Sequence, residues 1–320
     1  MTRNTNFVFL TLAVLDSKKN NPMSARGNHS LAVVKASENY EVRKDDRWNM
    51  SHDLRHFNEG PLRRTMKEIK EMASKSKNNY CCVRRPLVEI DLDHIVLDEL
   101  HLMLRVADVL MDNLIEDVLE WDKTEDMSKK RNEERGIHLS TLINTVRSCG
   151  VSFNIWQKKN ADGKSSGKYD CTSLLGNDKK ILLHVLPGKL RMAIQEETCD
   201  TVIKLWSDFN ELYKIISKED PTTEDIENYF EQATTWVKLF LSLSGKRKGY
   251  NRARVTPYMH IMVYHIPHFF SLFKTIKIFT GQGVERNNDV ARSTVMRKSN
   301  KWDCTRDVLR LVKTYPSDLL

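Results

Sequence analysis

Two histidines and one glutamate near the C-terminal end are the residues of this chain whose types and spacing best suit chemistry. His260 and His265 are five positions apart in a segment whose threonine and proline predict the start of a helix. Glu285 follows a glycine-containing turn and opens a strongly basic segment. A carboxylate among Arg and Lys side chains suits a metal-dependent site on a polyanion better than a hydrophobic core. This stretch is therefore a candidate site.

A second candidate acid is Asp98. The segment Val88–Leu97 alternates apolar and acidic residues, which predicts a strand that ends at Asp98. A carboxylate at the C-terminal edge of a strand projects into the crevice where α/β folds bind ligands. Aspartate is also a favoured helix N-cap, and a predicted helix begins within a residue or two of it. The residues alone leave both interpretations open.

Basic side chains are concentrated on both sides of the histidines. The segment Lys246–Arg254 contains five basic residues in nine positions, and further Arg and Lys residues follow Glu285. A solvated loop is the usual meaning of such a run. Beside a crevice that binds nucleic acid, the same residues would neutralise phosphates without reading sequence. The candidate DNA-contacting residues are Lys246, Arg247, Lys248, Arg252, Arg254, Arg286 and Arg292.

The composition favours a nucleic-acid partner in a reducing compartment. A net charge of +8 on 320 residues, of which 40% are hydrophobic, predicts one large or two modest cores and a surface that attracts acidic partners. The six cysteines are scattered and include no Cys-x-x-Cys pair. The apolar run Phe7–Leu15 is too short to span a bilayer, and a polar turn rather than a cleavage pattern follows it. We expect a strand there, a nuclear or cytoplasmic protein that is not secreted, and no membrane partner.

Apolar residues at helical spacing, helix-capping threonines and a Gly/Ser-rich turn predict the remaining elements. The predicted strands are Phe7–Leu15, Ser30–Lys35 and Val88–Leu97, with a hairpin of Val151–Gln157 and Lys168–Leu174; the predicted helices are Pro61–Ala73, Leu100–Trp121, Ile137–Cys149, Glu196–Ser217, Glu224–Ser244 and one that starts at Thr256-Pro257. Strands followed by a long helical block indicate an α+β protein.

The C-terminal candidate site resembles a known nuclease family. The His-x4-His pair, followed by a glycine, one residue and Glu285, is similar to the last third of the catalytic core of Transib-type transposases and the V(D)J recombination-activating proteins derived from them. The similarity runs without a gap from His260 through Glu285 to Leu309. Around Asp98, the Asp-x-Leu-His pattern that ends at His101 resembles the setting of the family's second catalytic acid.

The resemblance implies a fold, a chemistry and partners. The fold would be an RNase H-like nuclease core split by a large, mainly helical insertion, with Asp98 and Glu285 as two acids of a DDE site that holds Mg²⁺ or Mn²⁺. The partner would be DNA, and a homodimer would act on it. In the family, the two histidines bind a structural zinc with a distant Cys-x-x-Cys pair. Since this chain has no such pair, a zinc ion at His260 and His265 would lack two of its four ligands. Simple packing of the two rings remains the alternative.

Two departures from the family pattern affect the expected activity. The family's first aspartate precedes the strand equivalent to Phe7–Leu15 and would lie upstream of Met1. The family's segment with the Cys-x-x-Cys would fall between Arg43 and Lys44, which are adjacent in this chain. Two carboxylates without the bridging one hold a metal pair poorly. We therefore expect no strand cleavage from the chain as given.

These features predict three segments and leave two functions open. The segments are an incomplete RNase H-like core in 1–98, a mainly helical insertion in 99–254 and the C-terminal part of the core in 255–320. One function is that of a degenerate or truncated DDE transposase or recombinase, ancestrally a metal-dependent nuclease. The other is that of a non-enzymatic DNA- or protein-binding module domesticated from such an element.

Overall fold

The residues that the structure describes form an α+β fold that is mostly helical, and among them are two two-stranded antiparallel sheets. The structure is a computed structural model that describes residues 7–13, 28–35, 65–75, 98–161, 163, 165–280, 292–293 and 296–297; the first two ranges are described by their backbone only. The described residues belong to two compact units. One contains 98–100 and 277–280 together with the N-terminal elements, and the other contains His101–Ile276.

The first unit contains a predicted hairpin and a short helix. Strands β1 (Phe7–Ala13) and β2 (Asn28–Lys35) pair antiparallel, which confirms both predicted strands. Helix α1 (Met66–Met72) lies within the predicted helix. The side chain of Thr65 accepts from the backbone N–H of Glu68, whose carboxylate accepts from the N–H of Thr65, so a capping box fixes where α1 begins. The predicted strand at 88–97 lies outside the described residues.

Helices dominate the second unit. Their bounds are α2 Glu99–Asp126, α3 Ile137–Arg147, α4 Gly176–Val185, α5 Glu196–Ile216, α6 Thr223–Ser242, α7 Pro257–His260 and α8 Ile266–Phe273, with 3₁₀ turns at Leu186–Met192, Arg252–Arg254 and, in the first unit, Lys277–Phe279. The sequence leaves Thr222 and Thr223 open as the cap of helix α6, and the structure shows a capping box formed by Thr222 and Asp225. Helix α4 and the 3₁₀ turn that continues it were not predicted.

Helix α2 places a continuous apolar stripe in the core. Its fully buried residues recur at helical spacing and include Leu102, Met103, Val106, Leu110, Leu114 and Val118. The helix is 28 residues long, but charged residues line its outer face. In the part of the chain that the structure describes, no helix has the length and apolar character needed to cross a membrane.

Helices α5 and α6 pack through aromatic side chains. The indole N–H of Trp236 donates to the carbonyl of Leu205 at 2.8 Å, and the ring lies 5.7 Å from that of Phe209. Tyr229 on α6 meets Phe270 on α8 edge to face at 5.3 Å. A buried tryptophan whose N–H has a partner avoids the cost of an unsatisfied donor. This pair of helices therefore forms a closely packed part of the core next to the segment that follows α6.

The predicted hairpin is present but starts later than expected. Strands β3 (Ile155–Lys159) and β4 (Ser165–Cys171) pair antiparallel. Val151 and Phe153, which lie within the predicted first strand, are instead buried in the core without strand pairing. The Phe153 carbonyl accepts a hydrogen bond from the Arg147 guanidinium at 2.7 Å. This side chain satisfies a carbonyl that would otherwise need a backbone partner on a neighbouring strand.

The sequence-based and structural boundaries of the helical segment differ at its C-terminal end. The sequence places the boundary between 254 and 255, whereas the second unit extends to Ile276. Helices α7 and α8 and the histidines therefore belong to the helical unit. The first unit resumes at Lys277, where a short 3₁₀ turn begins.

Candidate functional site

Asp98 is the N-cap of helix α2. Its Oδ1 accepts the backbone N–H of Leu100 at 3.0 Å, and the residue is partly exposed. The capping interpretation of this aspartate is thus confirmed. The other proposed acid, Glu285, and its neighbour Arg286 lie outside the described residues, and Arg292 is an exposed helical residue. A metal-binding role for Asp98 and Glu285 stays a prediction.

The next residue, Glu99, is a buried acid that the sequence did not single out. Its carboxylate is fully buried, and its Oε1 lies 2.8 Å from the Lys277 ammonium. Its Oε2 has no hydrogen-bond partner among the described residues. A buried charge requires a partner, so this ion pair holds the start of α2 against the turn at 277–279 within the first unit. The partners are far apart in sequence, so no local pattern signals the pair.

A π-helical turn brings the two histidines together. In a regular α-helix, two residues five positions apart point in clearly different directions. Here Ile261–His265 forms a π-helical turn. Its wider i→i+5 repeat brings the side chains of His260 and His265 to the same side of the helix. The rings of His260 and His265 meet edge to face with centroids 5.2 Å apart. The Tyr264 ring lies 4.8 Å from that of His260. The five-residue spacing of the histidines therefore matches the π-helical backbone, although it does not match an α-helix.

The histidine pair fits a zinc ion only in part. With Zn–N bonds of about 2.1 Å, two imidazoles on one tetrahedral ion have centroids roughly 5 Å apart, which is also an ordinary distance for packed rings. Among the residues that the structure describes, no group of three or more His, Cys, Asp or Glu side chains is placed to hold a metal. The pair thus supplies two ligands of the four that a structural zinc needs. Packing of the two rings accounts for the described geometry.

The surroundings of His265 favour its neutral form. Partial desolvation and the nearby His268 lower the pKa of His265, even though the residue is exposed at the surface. Neutral imidazole is the form that packs most easily against another ring. It is also the form that binds metals.

The basic segment Lys246–Arg254, here called the basic loop, is attached to helix α2 at several points. The Arg247 side chain is only 9% exposed; its Nε lies 2.7 Å from the Thr198 hydroxyl and 3.8 Å from the Asp117 carboxylate. Its Nη2 lies 3.5 Å from Glu197. Arg247 therefore joins α2, α5 and the loop, and its guanidinium is engaged inside the unit.

The Asp117 carboxylate, which faces Arg247, is costly to bury in its charged form. Burial raises the pKa of Asp117, the positive charge of Arg247 opposes that rise, and Glu120 adds to it. Asp117 is 8% exposed. Arg247 is thus the counter-charge that allows an ionised carboxylate at this depth.

Gly249 permits the close approach of the loop to α2. Its φ is +90°, and its carbonyl accepts from the Asn113 side chain at 3.2 Å. A Cβ at this position would lie 2.1 Å from Asn113 Oδ1, so a larger residue does not fit. The neighbouring Tyr250 is 1% exposed, with its ring 5.0 Å from that of Phe240, and burial raises its pKa. Glycine and tyrosine in the basic loop are structural residues.

Three residues on one face of α2 hold the loop. Glu116 pairs with the Arg254 guanidinium at 2.8 Å, and it stands on the same face as Asn113 and Asp117 because residues three and four apart are neighbours on a helix. The arrangement divides the basic loop into two sets. Arg247 and Arg254 are paired with acids of the same unit, although the Arg254 side chain is 46% exposed. Lys246, Lys248 and Arg252 are exposed and pair with no acid among the described residues, and they are here called the exposed basic set.

An open cleft of about 700 Å³ lies between α2 and the start of the loop. Its lining combines acidic side chains of α2 with basic side chains of the loop. The lining residues are Asp117, Glu120, Trp121, Thr124, Glu125, Gln195, Gly245, Lys246, Arg247 and Lys248. Since the cleft is open and carries both signs of charge, it resembles a hydrated surface groove more than an enclosed substrate pocket.

No protein-family model and no curated protein matches the chain.

Proposed function

We propose that the chain binds DNA through the exposed basic set, as a non-cleaving module of the type derived from DDE transposases. The observation that carries this proposal is the division of the basic loop. Two arginines, a glycine and a buried tyrosine fix its backbone, while Lys246, Lys248 and Arg252 remain exposed. The transposase origin rests on the resemblance around His260, Glu285 and Asp98.

A fixed loop suits phosphate binding for a physical reason. Ordering a flexible loop on binding reduces affinity, so cations on an already ordered backbone retain more of their attraction for phosphate. Lysine and arginine contacts to phosphates position a protein on DNA without reading bases. The net charge of +8 adds long-range attraction. We therefore propose binding that is sensitive to salt and tolerant of sequence.

Fluorescence anisotropy with a labelled DNA duplex tests this proposal. The test variant is Lys246→Gln/Lys248→Gln/Arg252→Gln, in which the anchoring residues are untouched. The matched control is Lys123→Gln/Lys130→Gln/Lys238→Gln, which removes the same charge from exposed positions elsewhere. We expect weaker binding in the test variant only. Equal binding by both variants would contradict the assignment of the loop.

Metal-dependent cleavage is a second candidate, favoured by the position of Asp98. The carboxylate caps α2 from a partly exposed site, and N-capping and metal binding do not exclude each other. Here Asp98 and Glu285 would hold Mg²⁺ or Mn²⁺ in an RNase H-like core, and such ions activate the attacking oxygen. Nicking of supercoiled plasmid with either ion tests it. Cleavage that Asp98→Asn or Glu285→Gln abolishes would establish an enzyme, and DNA binding without cleavage in the wild type would favour the binding module.

Two further proposals follow from the family resemblance. The protein would act in the nucleus and would form a homodimer. Sedimentation velocity with and without a DNA duplex tests the dimer. A monomer under both conditions would contradict it.

A further inference from the structure

The hairpin of β3 and β4, here called the ribbon, is exposed on both faces. Of the five residues of β3 only Ile155 is buried, and no residue of β4 is. The two strands form a sheet of their own. An isolated two-stranded hairpin is marginal in water, since neither face is covered by a core. The exposed side chains of the ribbon are therefore available to a partner.

Each face of the ribbon carries an exposed aromatic ring. Trp156 stands opposite Asp170, and Gln157 stands opposite Tyr169. Because side chains alternate along a strand, Trp156 and Tyr169 lie on opposite faces. Trp156 is 46% exposed and Tyr169 is 40% exposed. A partner that touches only one face would leave one ring in water, whereas a partner that surrounds the ribbon would contact both.

The charge of the ribbon is positive. Lys158 lies 2.9 Å from Asp170, so these two charges offset each other. Lys159 and Lys168 are exposed and pair with no acid among the described residues. Serine and glycine at 165–167 add small side chains near the tip, which allow close approach of another backbone. The surface thus combines aromatic rings, unpaired cations and small residues.

We propose that the ribbon is a second DNA contact, which lies in a groove of the duplex. The inference rests on the proposed DNA binding but uses residues outside the basic loop. Two strands about 4.8 Å apart form a ribbon that the major groove, about 12 Å wide, accommodates. A ribbon that enters the groove edge-on would turn one face towards each sugar-phosphate wall, and both rings and both unpaired lysines would then contact the DNA. Charge complementarity favours this occupant over a second copy of a positively charged chain.

Three variants test the ribbon with the anisotropy assay and the same duplex. Lys159→Gln/Lys168→Gln removes the unpaired charges, and Lys130→Gln/Lys238→Gln removes equal charge from exposed sites elsewhere. We expect the ribbon variant to lose about tenfold or more in affinity at about 0.1 M salt and the control to lose less. Trp156→Phe tests whether DNA contacts the ribbon itself. If it does, the change in tryptophan emission that DNA causes in the wild type should be smaller in this variant.

The outcomes separate the ribbon from the basic loop. If the ribbon variant binds like its control while the loop variant is weakened, the ribbon inference is wrong and the proposed function stands. If the wild type shows no salt-dependent binding, the proposed function itself fails. Sedimentation velocity tests the alternative that the ribbon binds a second copy of the chain. If the ribbon variant changes self-association but not DNA affinity, a second copy is the partner and the inference is wrong.

Discussion

The side-chain amide of Asn113 donates to the carbonyl of Gly249 at 3.2 Å, although the two residues are 136 positions apart. Asn113 is 1% exposed, so this bond is made inside the helical unit. It joins the middle of helix α2 to the centre of the basic loop. The loop is therefore part of the folded core at this point, and its exposed cations stand on a fixed support.

The first prediction concerns the close approach at Gly249. Gly249→Ala introduces a Cβ at a φ of +90° and forces the Asn113 side chain away, which breaks its buried hydrogen bond. We expect a loss of about 3 kcal/mol in the free energy of unfolding, from backbone strain and an unsatisfied buried group. Urea unfolding followed by tryptophan fluorescence measures it, since Trp206 and Trp236 are buried in this unit.

Gly245 supplies the matched control for that experiment. Its φ is +79°, but a Cβ there would have nothing within 4 Å. Gly245→Ala should cost only the backbone strain, about 1 kcal/mol. Equal losses in the two alanine variants would contradict the steric role given to Asn113.

The second prediction concerns the buried pair of Arg247 and Asp117. Arg247→Met keeps the aliphatic stem but removes the charge opposite Asp117, so we expect a loss of about 2 kcal/mol near neutral pH. Asp117→Asn in the same background should recover part of this loss, because it removes the isolated charge. A double variant as unstable as the sum of both single variants would argue against a direct interaction.

The raised pKa of Asp117 predicts how the stability loss in Arg247→Met changes with pH. Burial raises the pKa of Asp117, so the folded state binds that proton more tightly than the unfolded chain. The carboxyl group therefore lowers stability as pH rises through its folded pKa. Without Arg247 this effect should grow. The stability difference between wild type and Arg247→Met should be larger at about pH 7 than at about pH 4, and the reverse order would contradict it.

The third prediction concerns His265. Its pKa is lowered in the folded state by desolvation and by His268, so the unfolded chain binds that proton more tightly. Stability should fall as pH drops through the unfolded value of about 6.5 toward the folded pKa, and level off below it. In His265→Gln, stability should change less with pH over this range. Urea midpoints at a series of pH values measure it, and an unchanged slope in the variant would refute the assignment.

The fourth prediction separates the capping and metal-binding roles of Asp98. Asp98→Ala removes the acceptor for the Leu100 N–H and should cost about 1 kcal/mol. Asp98→Asn keeps an N-cap oxygen and should change stability by much less. Thermal unfolding of both variants measures this. If the asparagine variant is as unstable as the alanine variant, a loss of cleavage in Asp98→Asn could not be assigned to chemistry.

The sequence allowed most helices to be predicted because their signals are local. The caps at Thr222 and Thr256 and the apolar stripe of α2 depend on neighbours within a few residues. Helix α4 was missed because its N-cap position holds Leu175, whose side chain makes no capping hydrogen bond. The π-helical turn was missed because a spacing of five between histidines does not by itself indicate a wider repeat.

The division of the basic loop could not be predicted, because it depends on distant partners. In the sequence, Lys246 and Arg247 are equivalent members of one basic run. Only the fold shows that Arg247 meets Thr198 and Asp117 while Lys246 is exposed. The ion pair of Glu99 and Lys277 is hidden for the same reason.

The salt dependence of DNA binding tests the central claim most directly. Each phosphate contact contributes a slope of about −0.9 to a plot of log affinity against log salt concentration. The account predicts that Lys246→Gln/Lys248→Gln/Arg252→Gln reduces the magnitude of the slope by about three relative to the wild type, while Lys123→Gln/Lys130→Gln/Lys238→Gln leaves it nearly unchanged. Identical slopes for the wild type and the loop variant would contradict a role for the exposed basic set in binding DNA.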